Sequence, residues 1–389
     1  MKKKIAILGS TGSIGKTLLN IISKDYNNFE VVLLSANTNY KELFKQTKKF
    51  NVKNVIINDQ ESLTKFKNKN KKSKLKIYNN FESMKYIFKQ KIDYVMSSIV
   101  GIDGLEPTLK IIKYTKKIAI ANKESIICGW SLIEKELKKN KTNFIPVDSE
   151  HFSLWYGLSE NKINNIDKIY ITASGGPLLS TPLSKLKNIS IKKALNHPNW
   201  TMGKKISIDS ATMINKIYEV IEAKNIFNLP YKKINILIHP KSYIHAIIKF
   251  NNGMIKIIAH DTTMRIPIHN TLFNKLEKKI FSKNINLKIL NNLNFQKISP
   301  QRYPIINLLN YLPNKSSLYE TVIVSANDTL VDLFLKKKIK FNEINERLFK
   351  LIKNKEFIKY KKIKPKQLDQ IHNLHNYVRL KTIEKVYKS

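Results

Sequence analysis

The chain has 389 residues, 70 of them Lys or Arg against 29 Asp or Glu, for a formal charge of +41, yet 42% are hydrophobic and 10% aromatic. That apolar content excludes a disordered basic tail, and at roughly 100 to 200 residues per domain the length predicts two or three domains with full cores. The single cysteine, Cys128, excludes an internal disulfide framework and a thiolate-rich metal cluster.

Met1-Lys2-Lys3-Lys4 leads straight into Ile5-Ala6-Ile7-Leu8, and no apolar run approaches the roughly 18 to 20 residues of a membrane span, so the expectation is a cytoplasmic protein without membrane association. The basic excess consists of 66 Lys and only four Arg (Arg265, Arg302, Arg347, Arg379), spread over runs at 45–49, 65–76, 336–340 and 361–366 among abundant Asn and Ile. Arg is the usual bidentate reader of guanine and phosphate, so this pattern favours a solvated surface over a nucleic-acid footprint. A polyanionic partner stays as the alternative.

Over residues 1–148, apolar runs at Lys4–Gly9, Phe29–Asn37, Val52–Asp59, Ile92–Ile99, Lys117–Ala121 and Thr142–Asp148 alternate with helical stretches. Near-continuous apolar strands separated by helices predict an α/β fold with a doubly wound parallel sheet. Gly9-Ser10-Thr11-Gly12-Ser13-Ile14-Gly15 follows the first strand and opens a predicted helix, Ile14–Ser23. Glycines there permit a tight turn and close approach of a dinucleotide pyrophosphate to the helix N-terminus, an ordinary glycine turn being the alternative. At the end of the second strand an NAD site would carry a carboxylate; Ser35-Ala36-Asn37-Thr38-Asn39 has none, which favours NADP(H), against a plain polar turn.

Asp148-Ser149-Glu150 ends an apolar strand, and in extended chain the two carboxylates would face one side and could share a cation. Asp as a helix N-cap with Glu in the first turn fits the segment as well. From 149 to 273 the pattern becomes α+β, with a strand at Lys168–Thr172, Ser174-Gly175-Gly176 as a hydroxyl and N–H source, and a hairpin of His245–Phe250 and Met254–His260. His197 to Gly203, with Trp200 and Met202, reads as a lid hinged at Gly203.

Asp209 to Glu219 is expected as one helix capped at Asp209 or Ser210, with Asn215, Lys216 and Glu219 on one face. Lys216, Asn215 and Ser210 could donate to a phosphate, Glu219 could supply a third carboxylate, and Glu222 reads as a solvated neighbour or a supporting acceptor. Three carboxylates with few N or S ligands suit Mg²⁺ or Mn²⁺ rather than zinc. Residues 274–299 read as a linker and 300–389 as a small helical domain, without internal repeats.

GSTGSIG, ANKES (Ala121–Ser125), PVDSEH (Pro146–His151), ASGGP (Ala173–Pro177), HPNWTMGKKISIDSATMINK (His197–Lys216) and HPKSYIH (His239–His245) stand in fixed order. In this the chain resembles the 1-deoxy-D-xylulose 5-phosphate reductoisomerase family, densely from residue 4 to about 270. The resemblance implies a Rossmann-like NADPH-binding domain over 1–148, a central α+β catalytic domain over 149–273, a linker, and a C-terminal helical domain over 300–389. It implies a metal-assisted carbon–carbon rearrangement followed by NADPH reduction, in the non-mevalonate isoprenoid pathway.

By the same resemblance, Asp148, Glu150 and Glu219 would bind the divalent cation (Mg²⁺ or Mn²⁺, with Co²⁺ a third candidate), and Ser149 and Lys123 would contact the substrate. Ser174, Ser210, Asn215 and Lys216 would hold its phosphate; His197, Trp200 and Met202 would ride on the closing loop, and His245 would face the substrate. Gly9, Ser10, Thr11, Gly12, Ser13, Ile14, Ala36, Asn37, Thr38, Asn122, Lys123, Glu124 and Gly203 would belong to the cofactor site. Relatives commonly carry a Gly and a basic residue where this chain has Ala36-Asn37-Thr38. A homodimer is implied as well. A simple NADP-dependent dehydrogenase without the rearrangement, and a basic nucleic-acid binder, are the competing readings.

Overall fold

A computed structural model describes residues 1–71, 74–158, 163–273 and 278–388. Its contacts cluster into two compact units, one of Met1–Ser125, Leu132–Phe152 and Met264–Phe281, the other of Ile126–Ser131, Ser153–Thr263 and Ser282–Ser389.

The first unit holds seven strands: β1 (Lys3–Leu8), β2 (Phe29–Ala36), β3 (Asn54–Ile57), β4 (Lys76–Tyr78), β5 (Tyr94–Ser97), β6 (Lys117–Ile120) and β7 (Asn143–Pro146). They form one parallel sheet in the order β4-β3-β2-β1-β5-β6-β7. The apolar runs are buried because both faces are covered: Ile5, Ala6, Ile7 and Leu8 have no exposed surface. Strand order reverses at β1, whose neighbours are β2 and β5, so the glycine loop leaves the sheet at its switch point, where open α/β sheets bind ligands.

The helix Arg265–Leu272 also belongs to this unit, although sequence placed it in the central domain. Its burial decides this. Ile268, Leu272 and Phe273 join the core of Ile5, Ile7, Phe29 and Tyr94; Phe273 meets Phe29 edge-on at 5.5 Å, and Thr271 Oγ1 lies 2.7 Å from Tyr94 Oη.

The second unit is built on β8 (Ile166–Ala173), β9 (Ile234–Ile238), β10 (Ile244–Phe250), β11 (Ile255–Ala259) and β12 (Gln296–Lys297), ordered β11-β10-β8-β9-β12. β8 and β9 run parallel, with Ala173 opposite Ile238, so both deliver their carboxyl ends to the same edge. β10 pairs antiparallel with β8 and β11, the latter completing the expected hairpin. One face packs Ile169, Ile171, Ala246 and Ile248 against Val220, Ala223 and Phe227.

Two sequence expectations change here. The expected linker contains the helix Leu287–Leu290 and β12, which pairs with β9; its first four residues, 274–277, lie outside the described ones. The C-terminal helices Tyr319–Leu335, Phe341–Ile352 and Leu368–Tyr387 cluster in the same unit as the second sheet, the first of them buried along most of its length.

Candidate active site

In the first unit the glycine loop shows why each glycine stands where it does. Gly9 has φ +81°, and a Cβ on it would lie 2.8 Å from the Ser98 carbonyl oxygen. A Cβ on Gly15 would lie 2.5 Å from Ser10 Cα, so glycine lets the helix Ser13–Ser23 settle against the strand end. Gly12, the N-cap, has only the Gly9 carbonyl oxygen at 3.5 Å, so the protein leaves space there. Thr11 is partly exposed and Gly12 and Ser13 exposed, ahead of the free N–H groups of the helix, as an anion site requires.

Ser10, expected at the cofactor, is fully buried: its hydroxyl donates to Gln46 Oε1 at 2.7 Å and its N–H to the Ser35 carbonyl at 2.9 Å. Its side chain shapes the loop. Ala36 is buried at the end of β2, while Asn37 and Thr38 project to solvent. Asn122 caps the helix Lys123–Lys139 through Ser125 N–H, and its amide donates to the Gly101 carbonyl at 2.7 Å. Lys123 and Glu124 follow in the first turn, both buried.

Asp148-Ser149-Glu150 is not extended. The helix Ser149–Leu158 begins there, and Asp148 Oδ1 accepts the Glu150 N–H at 3.3 Å, so the capping geometry replaces the strand-end pair. A carboxylate suits the positive end of a helix, and the turn still brings both carboxylates together. Lys123 Nζ lies 3.0 Å from Asp148 Oδ2, Ser149 donates to Glu150 Oε2 at 2.5 Å, and His151 Nδ1 stands 3.5 Å from Asp148 Oδ1. Hard oxygen donors clustered beside a lysine fit Mg²⁺ or Mn²⁺.

In the second unit, the expected single helix over Asp209–Glu219 is two, Lys204–Thr212 and Ile214–Phe227, broken at Met213 with φ +70°. Gly203 is the N-cap of the first, with nothing near its absent Cβ. Ser210 sits in its last turn, whereas Asn215, Lys216 and Glu219 open the second. Asn215 Nδ2 donates to Glu219 Oε1 at 2.6 Å, and Lys216 Nζ to Glu219 Oε2 and, at 2.6 Å, to the Thr172 carbonyl. Glu222 is 1% exposed, which rules out the solvated alternative and leaves that of a supporting acceptor.

The Ser174 loop packs on the first of these helices. Gly175 and Gly176 have φ +86° and +68°, and a Cβ on Gly176 would lie 2.6 Å from the Ser210 carbonyl oxygen, so the loop lies directly on the helix carrying Ser210. Lys216 reaches the same place from Thr172. The Lys216 ammonium on the Thr172 carbonyl and the Ser174 hydroxyl thus stand two residues apart at the end of β8, donor types suited to phosphate.

The lid residues meet this loop. His197 Nδ1 accepts the N–H groups of Asn199 at 3.1 Å and Trp200 at 3.0 Å, so Nε2 carries the hydrogen and donates to Ser174 Oγ at 3.0 Å. Burial holds the His197 imidazole well below its ordinary range, down to about 4. Trp200 meets His245 edge-on at 6.2 Å, and Met202 is half-buried.

Other side chains that the sequence had not singled out contact these residues. Asn199 donates to the Pro240 carbonyl at 2.7 Å and Ser242 Oγ at 2.8 Å, fastening the lid to the segment after β9. His260 stacks on His245 at 3.7 Å, and Asn327 Nδ2 donates to the buried Asp209 Oδ1 at 2.8 Å. Asn199 stood within a recognised motif and could have been singled out; no local pattern marked His260 or Asn327.

The family model for 1-deoxy-D-xylulose 5-phosphate reductoisomerase matches residues 5–129, and those for its C-terminal domains match 144–227 and 261–381. A 1-deoxy-D-xylulose 5-phosphate reductoisomerase of Pelagibacter ubique is 60% identical over 97% of this chain and 98% of its own length. One of Clostridium kluyveri is 38% identical over 88% and 90%. Among solved structures, the Zymomonas mobilis enzyme in complex with NADPH superposes with a TM-score of 0.88 at 29% identity, covering 99% of both chains. A reductoisomerase in complex with NADPH, fosmidomycin and magnesium gives 0.90 at 28%, covering 99% of this chain and 98% of its own. With the glycine loop, the carboxylate cluster and the Ser174 loop all inside the matched segments, the chain belongs to the 1-deoxy-D-xylulose 5-phosphate reductoisomerase family.

Proposed function

We propose that this chain converts 1-deoxy-D-xylulose 5-phosphate to 2-C-methyl-D-erythritol 4-phosphate, using NADPH and one divalent cation, in the non-mevalonate route to isoprenoid precursors. The observation that carries the reading is the donor set around Ser174, a phosphate cradle to which a lid histidine is hydrogen-bonded.

Asp148, Glu150 and Glu219 are the proposed cation ligands, with Ser149 and Lys123 on the substrate. The ammonium of Lys123 offsets the charge of Asp148 and can donate to a substrate oxygen. Ser174, Ser210, Asn215 and Lys216 hold the phosphate, an anchor remote from the reacting carbons whose binding energy can orient them. His197, Trp200 and Met202 close over the substrate and exclude water, and His245, braced by His260, lines its path. Gly9 to Ile14, Ala36 to Thr38, Asn122 to Glu124 and Gly203 make the cofactor site. When bound, the cation supplies Lewis acidity at adjacent substrate oxygens and NADPH supplies the hydride.

A homodimer is part of the proposal. β11 is an edge strand in the described sheet, and Met254, Ile255 and Ile257 are 64%, 55% and 49% exposed, an apolar edge that pairing would cover. No described helix is long and apolar enough to cross a membrane, and we propose a cytoplasmic site of action.

The test is NADPH oxidation by purified protein given 1-deoxy-D-xylulose 5-phosphate, with and without Mn²⁺, and NADH in parallel. Metal-dependent oxidation yielding 2-C-methyl-D-erythritol 4-phosphate is expected, and the NADH trace reports what Ala36-Asn37-Thr38 selects. Metal-independent oxidation without that product would point to a simple dehydrogenase.

A further inference from the structure

The peptide joining Gly175 and Gly176 is gripped at both ends. Its carbonyl oxygen accepts the hydroxyl of Tyr303 at 2.7 Å, and its N–H donates to Ser174 Oγ at 3.0 Å. The same Ser174 oxygen receives His197 Nε2–H at 3.0 Å. A serine oxygen has two lone pairs and one hydrogen. With both lone pairs engaged, the Ser174 hydroxyl hydrogen points away as a donor, the role an anion demands of it.

Without restraint this arrangement would be soft. Both glycines have positive φ and no side chain, so the peptide between them can rotate at little steric cost. Rotation would withdraw the Gly176 N–H from Ser174, free a lone pair, and let the hydroxyl turn inward. Tyr303, 4% exposed, opposes that rotation from the carbonyl side, and burial pushes its phenol up to about 12, so it remains a donor at physiological pH.

The neighbouring residue secures the loop's far end. One terminal nitrogen of Arg302 lies 3.0 Å from the Leu178 carbonyl oxygen and 2.7 Å from that of Thr181, one hydrogen for each. Arg302 is one of four arginines in a chain whose basic residues are otherwise lysine. A fixed planar donor is what two convergent carbonyls require, and a flexible ammonium supplies it poorly.

We propose that Tyr303 is a positioning residue for the substrate phosphate: by holding the Gly175–Gly176 peptide it keeps Ser174 an outward hydrogen-bond donor, while Arg302 braces the other end of the loop. The proposal rests on the reading of Ser174 as a phosphate ligand.

Steady-state kinetics on Tyr303→Phe, Ser174→Ala and the double variant, with thermal melting alongside, test it. Loss of one net hydrogen bond corresponds to about 3- to 10-fold, so Tyr303→Phe is expected to raise KM for 1-deoxy-D-xylulose 5-phosphate by that factor and leave KM for NADPH unchanged. In the Ser174→Ala background the same change should add less than about twofold, because both act through one hydroxyl. Arg302→Lys, which keeps the charge, should shift substrate KM in the same direction by a smaller factor and serves if Tyr303→Phe does not fold. Unchanged substrate KM in folded Tyr303→Phe, equal effects on both substrates, or full additivity with Ser174→Ala would overturn the proposal. Ser174→Ala with unaltered substrate KM would overturn the phosphate reading itself, and Tyr303's role with it.

Discussion

His197 and Ser174 stand 3.0 Å apart, Nε2 to Oγ, and the direction of that bond is fixed by the other ring nitrogen, which accepts two backbone N–H groups. A protonated imidazole could not keep them, because Nδ1 would itself be a donor. Burial accordingly lowers the folded-state value from 6.5 to about 4. The linkage has a definite sign: between those values the unfolded chain takes up a proton that the folded one refuses, so this contribution is whole above about pH 6.5 and fades as pH falls toward 4. Urea melts of wild type and His197→Asn over pH 4 to 8 are expected to show a wild-type advantage that shrinks on acidification. An advantage that grows instead would contradict the assigned tautomer.

Gly12 and Gly15 sit three residues apart and should fail differently. Gly15→Ala drives a Cβ to 2.5 Å from backbone, an overpacking that costs about 1 to 3 kcal/mol, and should lower the melting temperature. Gly12→Ser has room and makes a good N-cap, so the melting temperature should hold while KM for NADPH rises. If Gly12→Ser left NADPH binding intact, the pyrophosphate would not sit over this turn.

Glu150→Gln is nearly isosteric and keeps the helix start. Losing an outer-shell partner of a metal ligand typically costs about 10- to 100-fold, so losing a ligand should reduce kcat by about 100-fold or more without altering circular dichroism. Mn²⁺ at about 100 times its dissociation constant should stabilise wild type by about 2.7 kcal/mol and the variant far less. Wild-type rates at limiting Mn²⁺ would remove Glu150 from the ligand set.

Glu320 offers a test away from the chemistry. It is fully buried in the helix Tyr319–Leu335, accepts Ser317 N–H at 3.1 Å and its hydroxyl at 2.6 Å, and burial raises its carboxyl from 4.5 to about 7. The native state therefore holds a proton that the unfolded state releases, and stability falls as pH climbs through that window. Relative to wild type, Glu320→Gln should gain up to about 3 kcal/mol between pH 4.5 and 8, at 1.36 kcal/mol per unit. A pH-independent difference would mean that Glu320 is ionised in the fold throughout.

How far sequence carried this picture depends on which residues are asked. The parallel strands were legible because burial on both faces demands unbroken apolar runs such as Ile5–Leu8. β12 was not, since two residues leave no periodicity to read, and β4, three residues long, hides in a lysine-rich stretch. The helix break escaped notice because Met213 adopts positive φ without the glycine or asparagine that usually announces it. Glu222 was left between a solvated neighbour and a supporting acceptor because charged residues usually face water; its position one turn beyond Glu219 in a buried helix excludes the first. Candidate residues could be picked out where their neighbours were local, as in Ser174-Gly175-Gly176, and not where a partner comes from far along the chain, as with Tyr303 and Asn327.

The helix Arg265–Leu272 has a consequence for synthesis. Tyr94 and Phe29 have emerged from the ribosome well before Thr271 and Phe273, the residues that bond and cover them, so the growing chain carries an incompletely covered nucleotide-binding sheet through more than a hundred residues of translation. Apolar surface awaiting a late segment is where aggregation begins, and the lysines on the helices Tyr40–Lys49 and Gln60–Lys69 place like charges beside it, a distribution that opposes self-association.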